Sequence, residues 1–284
     1  MSQRVKFNQK LFDMPLLQRV GRSIHARRLA RQTRFQSTAT RFFRNLKQFQ
    51  AFEGPLSGLA DGQAPLRILV AGCSFGCEAY SLAGYLAVQF PQVDWTIDAF
   101  DISQAAIAVA QRAVYGPKHG LGDPLEREAK PYAERLFERC GDERTIVPDI
   151  RQRVFVSHGD LLADDFTADQ SYDLVLAQNF LVHMDDEAAS EAFSRIVAAV
   201  KPSGAIFVGG MDLDTKVGLI KHHELIPVDW EIEAIHDSDE MRRSTWPWGY
   251  WTLEPIDRSR PDFTARYSTI FRTKAAVSQP VVSD

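Results

Sequence analysis

Cysteine is scarce in this chain. Cys73, Cys77 and Cys140 are its only three in 284 residues, too few to staple a disulfide scaffold and in keeping with a reducing compartment. Cys73 and Cys77 stand four apart with no second pair, a poor zinc pattern, so both read as small packing residues and no metal is expected. No apolar run approaches the roughly 18 residues a membrane span needs. The first residues are polar and basic rather than an apolar leader, so the expected location is cytoplasmic. Internal repeats and low-complexity tracts are missing as well. Acids are nearly absent from the first 50 positions, where twelve Lys/Arg face a single Asp13 in a chain of net charge −4.

That asymmetry gives the two parts of the chain different preferred partners. Arg27, Arg31 and Arg34 recur at helical spacing with Arg19, Arg22 and Arg28 nearby, which predicts a basic helix over 15–34. Such a helix suits its own chain's acidic body or an acidic protein surface. Nucleic acid is disfavoured, because no aromatic residues interleave with these bases.

Apolar residues, in contrast, make up 45% of the chain, ample for an α/β core. The pattern predicts strands over 66–71, 95–100, 153–157, 172–178, 205–210 and 266–273, and helices over 78–89, 103–113 and 186–200. Strands alternating with helices imply a parallel sheet covered on both faces. Gly54, Pro55, Gly58, Gly62 and Pro65 mark a linker. It divides a basic helical segment, 1–55, from a domain over 60–284, and that domain is expected to stay folded without residues 1–50. Residues 116–150, rich in Gly, Pro and charge, read as an insertion.

The most informative stretch is RILVAGCSFGCEAYSLAGY, residues 67–85. A buried strand runs into a tight turn, an acid and an apolar helix, the opening unit of a nucleotide-binding α/β domain. The dinucleotide fingerprint G-x-G-x-x-G is missing, since only Gly72 and Gly76 remain. With Glu78 at the helix start, the turn suits a cofactor that has no pyrophosphate and carries positive charge. S-adenosylmethionine, with its ammonium and sulfonium, is such a cofactor. Asp101 ends the next strand, where this type of fold accepts hydrogen bonds from ribose hydroxyls. It is also a good helix cap, as is Ser103.

Five runs in order, TRFFR (40–44), AGCSFGCEAYS (71–81), FDIS (100–103), VFVSHGDLL (154–162) and YDLVLAQNFLVHMDD (172–186), resemble the CheR-type chemotaxis-receptor methyltransferases. The resemblance spans roughly 35–211. It implies a class I methyltransferase fold, Rossmann-like, with a mainly parallel seven-stranded sheet, helices on both faces and a small helical N-terminal segment. It also implies S-adenosylmethionine as cofactor and transfer of its methyl group to glutamate side chains. By position, Thr40 and Arg44 would reach the cofactor from the N-terminal helix and Glu78 would accept its ammonium. Asp101 would take the ribose, Asp160 and Leu161 would flank the adenine, and Asn179 and Phe180 would close the site.

The chain departs from the family pattern at three positions. Cys77 replaces the first of two acids, Thr38 replaces an Asn, and His183 replaces a Tyr at the acceptor edge. A further stretch of some seventy residues includes the aromatic segment MRRSTWPWGYWTLEP, 241–255. Methyl transfer is an in-line displacement that depends on alignment. A glutamate acceptor is already ionised at pH 7, whereas a hydroxyl benefits from a base, a role open to His183. Trp246, Trp248, Tyr250 and Trp251 read as packed core or as a lid. His222-His223-Glu224 is a weak metal pattern, since adjacent side chains diverge. The expectation is therefore an O-methyltransferase, with Arg44 and His183 at the reacting end, acting on a carboxylate or hydroxyl of a small molecule. Chemoreceptor glutamates, a non-catalytic cofactor-sensing module and RNA methylation are the alternatives. Neither an N-P-P-Y-like tetrad nor a catalytic Cys follows the fourth strand of the sheet to favour the last.

Overall fold

The computed structural model describes residues 40–121, 125–164, 166, 169–237 and 256–275, with Val20, Gly21, Ser23, Ile24 and Arg27 upstream. Arg27 is helical and exposed; Arg19, Arg22, Arg28, Arg31, Arg34, Thr38 and the segment 241–255 lie outside the described residues. The strands are β1 (Leu66–Ala71), β2 (Trp95–Asp101), β3 (Val114–Tyr115), β4 (Phe137–Cys140), β5 (Glu143–Ile146), β6 (Val154–His158), β7 (Tyr172–Gln178), β8 (Val200–Gly209), β9 (Ile226–Pro227) and β10 (Ile270–Arg272). The helices are α1 (Leu46–Phe49), α2 (Cys77–Gln89), α3 (Gln104–Arg112), α4 (Lys130–Leu136), α5 (Pro148–Arg151), α6 (Asp186–Ala199), α7 (Leu213–His222), α8 (Ile232–Asp237) and α9 (Phe263–Tyr267).

Seven strands form one sheet in the order β6-β2-β1-β7-β8-β10-β9. The first five pair in parallel, and β10 runs antiparallel to both β8 and β9. The order reverses between β1 and β7, and an open α/β sheet binds its ligand at that switch point. β1 explains why its sequence is an unbroken apolar run. Ile68 and Val70 face a core shared with α2, while Leu69 faces a second core with Phe193 and Ile196 of α6. Burial on both faces removes the usual alternation with polar residues.

The chain on the N-terminal side of the glycines and prolines of 54–65 packs into the sheet domain. Phe42, Phe43, Leu46, Phe49, Phe52 and Leu56 are all at most 5% exposed and join the same core as Ile68 and Val70. Phe49 lies 5.9 Å from the Tyr85 ring of α2, and Phe52 lies 6.4 Å from Phe207 of β8. Residues 42–56 are therefore part of the α/β core. A chain without residues 1–50 would lose Phe42, Phe43, Leu46 and Phe49 from this core.

The described residues of the stretch read as an insertion form regular elements. β3, β5 and β4 form a small antiparallel sheet, and α4 packs on α2 where Gly84 lets the helices approach. A Cβ at Gly84 would sit 3.2 Å from both Leu136 Cβ and the Tyr132 carbonyl oxygen. At the C-terminal end, the strand expected over 266–273 is shorter. The Arg266 N–H bonds the Asp262 carbonyl at 2.8 Å and the Ser268 N–H bonds that of Thr264 at 3.0 Å, so the backbone is helical until Tyr267.

Candidate functional site

One cleft opens at the carboxyl ends of β1, β2, β6 and β7, with about 1140 Å³ of empty space including its mouth. Its first wall is the turn after β1. Gly72 (φ +68°), Ser74 (φ +50°) and Gly76 (φ +79°) take left-handed conformations, which reverse the chain within a few residues. A Cβ on Gly72 would fall 2.7 Å from the Phe180 ring, so this position must lack a side chain for the two loops to meet. The turn is tied to β2 by the Cys73 N–H, which donates to the Phe100 carbonyl at 3.0 Å.

Asp101 braces that turn. Its two carboxylate oxygens accept from the backbone N–H groups of Ser74 and Ser103, each at 2.8 Å. Helix α3 is capped by Ser103, whose hydroxyl accepts from the Ala106 N–H at 3.3 Å. The capping role open to both residues thus falls to Ser103. Each Asp101 oxygen retains acceptor capacity towards the cleft.

Glu78 sits in the first turn of α2, where the helix dipole favours an anion. Asn45 Nδ2 donates to its Oε1 at 2.5 Å. Its pKa is nevertheless pushed up to about 7, because desolvation in the cleft wall outweighs the opposing effects of Asn45 and the Arg44 guanidinium. A carboxylate so placed gains from a cationic neighbour. An ammonium beside it would restore its charge.

The other walls come from loops held in fixed conformations. Leu162 donates its N–H to Asp160 Oδ1 at 2.9 Å, and Arg195 of α6 donates to the carbonyls of Leu161 and Ala163 at 3.0 and 2.5 Å. Asn179, with φ +64°, donates its N–H to the Gly209 carbonyl at 2.7 Å. Gly210 accommodates it, since a Cβ there would lie 2.7 Å from Asn179 Cα. Buried Gln178 donates from Nε2 to Gln48 Oε1 at 2.9 Å, joining the tip of β7 to the N-terminal segment. His183 ends the short turn Leu181–His183, its N–H bonded to the Phe180 carbonyl at 3.0 Å.

Thr40, Arg44, Gly72, Glu78, Asp101, Asp160, Leu161, Asn179, Phe180 and His183, drawn from five separate sequence runs, all line this cleft. Asn45, Ser74 and Gln178 line it as well and escaped the sequence reading. Adjacency to Arg44 and Asn179 was the available signal for Asn45 and Gln178; Ser74 acts through its backbone, which a side-chain pattern does not report. His222 and His223 lie away from the cleft. The His223 ring nitrogen is 3.1 Å from the Ser194 hydroxyl, and no His/Cys/Asp/Glu cluster suited to a metal occurs among the described residues.

The residue set fits S-adenosylmethionine. An acid at a helix start suits its ammonium, an acid at the tip of β2 suits vicinal hydroxyls, and Phe100, Ile102 and Leu161 offer apolar walls for a purine. Fold and site together define a methyltransferase-type cofactor domain. Residues 38–222 match the family described as CheR methyltransferase, SAM binding domain, and the chain belongs to that family. It is 30% identical over 229 residues to the "Probable biofilm formation methyltransferase WspC" of Pseudomonas aeruginosa, covering 78% of this chain and 51% of that protein. It is 28% identical over 173 residues to the "Chemotaxis protein methyltransferase" of Listeria monocytogenes, covering 60% of this chain and 63% of the relative. The match thus takes in between about half and two thirds of each relative's own length. Among solved structures, the glycopeptide N-methyltransferase MtfA complexed with S-adenosylmethionine is similar at 15% identity and a TM-score of 0.36, covering 62% of this chain and 59% of that one. No described helix is long and apolar enough to cross a membrane.

Proposed function

We propose that this chain is an S-adenosylmethionine-dependent O-methyltransferase whose acceptor group is a carboxylate. The observation that supports this most is the convergence of Arg44 and Asn45 on Glu78 in a cleft that Asp101 also lines. Glu78 binds the ammonium and Asp101 the ribose hydroxyls. Asp160 and Leu161 flank the adenine, and Thr40, Asn179 and Phe180 close the site around the cofactor. The bound cofactor supplies an electrophilic sulfonium methyl. The protein's part is then to hold an acceptor oxygen in line with it and to exclude water. An always-charged guanidinium at Arg44 suits an anionic acceptor, which needs no base to react.

The names of the relatives point to protein acceptors, and the basic N-terminal region suits an acidic protein surface. A small-molecule acceptor is a second reading, favoured by His183 on the cleft wall. Its imidazole could take a proton from a hydroxyl or orient a compact acid. Turnover with methyl-labelled S-adenosylmethionine tests these readings against a chemoreceptor cytoplasmic fragment and a panel of small carboxylic and hydroxy acids. Label released as methanol by mild base marks a carboxyl ester. Base-stable label lost with His183→Phe would instead favour the hydroxyl reading. Absence of transfer to every acceptor would leave a cofactor-sensing module.

A further inference from the structure

The loop after β6 reaches the cofactor cleft at Gly159, Asp160 and Leu161. Its own bonds close it into a turn. Asp160 Oδ1 accepts from the Leu162 N–H at 2.9 Å, and the Asp160 carbonyl accepts from the Ala163 N–H at 3.1 Å. The Gly159 N–H donates to the Asp101 carbonyl at 3.1 Å, which ties the loop to the tip of β2. None of these bonds uses the Leu161 N–H. In a trans peptide that N–H points opposite the Asp160 carbonyl, away from the interior of the turn, and Leu161 lines the cleft.

Arg195 of α6 grips this loop from behind. Its Nη1 donates to the carbonyls of Leu161 at 3.0 Å and Ala163 at 2.5 Å, while Nη2 donates to Glu191, one helical turn earlier, at 2.7 Å. The guanidinium keeps its proton at every working pH, so both carbonyl bonds are charge-assisted. Leu161 is 3% exposed, and a buried carbonyl left without a donor is costly. Arg195 is not among the residues that line the cleft. It acts on a ligand there only through the peptide planes it holds, and one of these adjoins the plane that carries the Leu161 N–H.

Adenine presents an N6 amino donor beside its N1 acceptor. A carboxylate followed by a backbone N–H, as at Asp160 and Leu161, is complementary to that pair. Hypoxanthine presents the reverse, an oxygen acceptor beside an N1–H donor, and would set oxygen against carboxylate and N–H against N–H. The discrimination therefore depends on where the Leu161 N–H points.

We infer that Arg195 is a positioning residue for the cofactor's base: by holding the Leu161 and Ala163 carbonyls it aims the Leu161 N–H, so that the site selects adenine over hypoxanthine. This rests on the adenine placement proposed above and adds the residue that enforces it.

Calorimetry on the full chain tests this with S-adenosylhomocysteine and S-inosylhomocysteine, its hypoxanthine counterpart. The wild-type chain is expected to favour the adenine compound at least about tenfold. Arg195→Met should cut that preference below about threefold, chiefly by weakening the adenine compound. Arg195→Lys keeps a cation for the two carbonyls and should retain most of the preference. Arg195→Gln, neutral and shorter, should behave as Arg195→Met and serves where that variant does not fold. A purely structural Arg195 would lower the melting temperature and leave the ratio of the two affinities unchanged, and that result would overturn the inference. Equal binding of both compounds by the wild-type chain would overturn the adenine placement beneath it, and absence of S-adenosylhomocysteine binding the cofactor reading as a whole.

Discussion

Among individual residues, Glu78 makes the most specific demand on experiment. Its carboxyl carries a pKa of about 7 against an ordinary 4.5. The folded protein therefore holds a proton that the unfolded chain has lost between those values. The sign follows: stability falls as pH rises from about 4.5 to 7 and then levels off. Binding a cationic ammonium runs the other way, because it needs the ionised form. Affinity for S-adenosylhomocysteine should rise with pH, by at most tenfold per unit, up to about 7 and then level off, declining only where the ligand's own amine deprotonates at higher pH. Titration at several pH values checks this, and Glu78→Gln should flatten the acid limb while weakening binding. Asp101→Asn should lower affinity at least tenfold, because it removes the carboxylate charge and places an amide N–H₂ against one of the two backbone donors. An unchanged affinity would remove Asp101 from the cofactor site.

At the scale of elements, β1 and β7 coincide with the spans read from sequence, 66–71 and 172–178. Both are central strands whose apolar runs are long and bounded by turns. Gly72, Glu78 and Asp101 were legible for the same reason, since they follow the tips of β1 and β2, whereas Thr40, Arg44 and the residues after β6 and β7 came from the family resemblance. What escaped depends on contacts far apart in sequence. The glycines and prolines of 54–65 resemble a linker, yet Leu56 is fully buried and Gly54 makes room for the Trp230 ring, which a Cβ would approach to 2.7 Å. The two-residue β3 and the four-residue β4 and β5 are too short for any periodicity to register. Deleting residues 1–50 should therefore abolish folding. It removes Phe42, Phe43, Leu46 and Phe49, each worth roughly 2–5 kcal/mol, against a typical total of about 5–15 kcal/mol. A cooperative thermal transition retained by that truncated chain would contradict this packing. Gly72→Ala should destabilise by about 1–2 kcal/mol from the left-handed backbone alone. It should also weaken cofactor binding by displacing Phe180, which denaturant midpoints and calorimetry together would show.

For the whole molecule, the sheet order, the cleft at its switch point and the family match at 38–222 converge on one cofactor. The acceptor is less legible, because it is read from groups that depart from the family pattern, His183 above all. The central claim is that ten residues from five separate runs form a single S-adenosylmethionine site, and binding of its demethylated product tests that claim without any knowledge of the acceptor. Calorimetry of S-adenosylhomocysteine with the intact chain at pH 7.5 should show one site with a dissociation constant in the micromolar range, about −8 kcal/mol, and at least tenfold weaker binding by Asp101→Asn. Absence of binding at millimolar ligand by the folded, intact chain would contradict it.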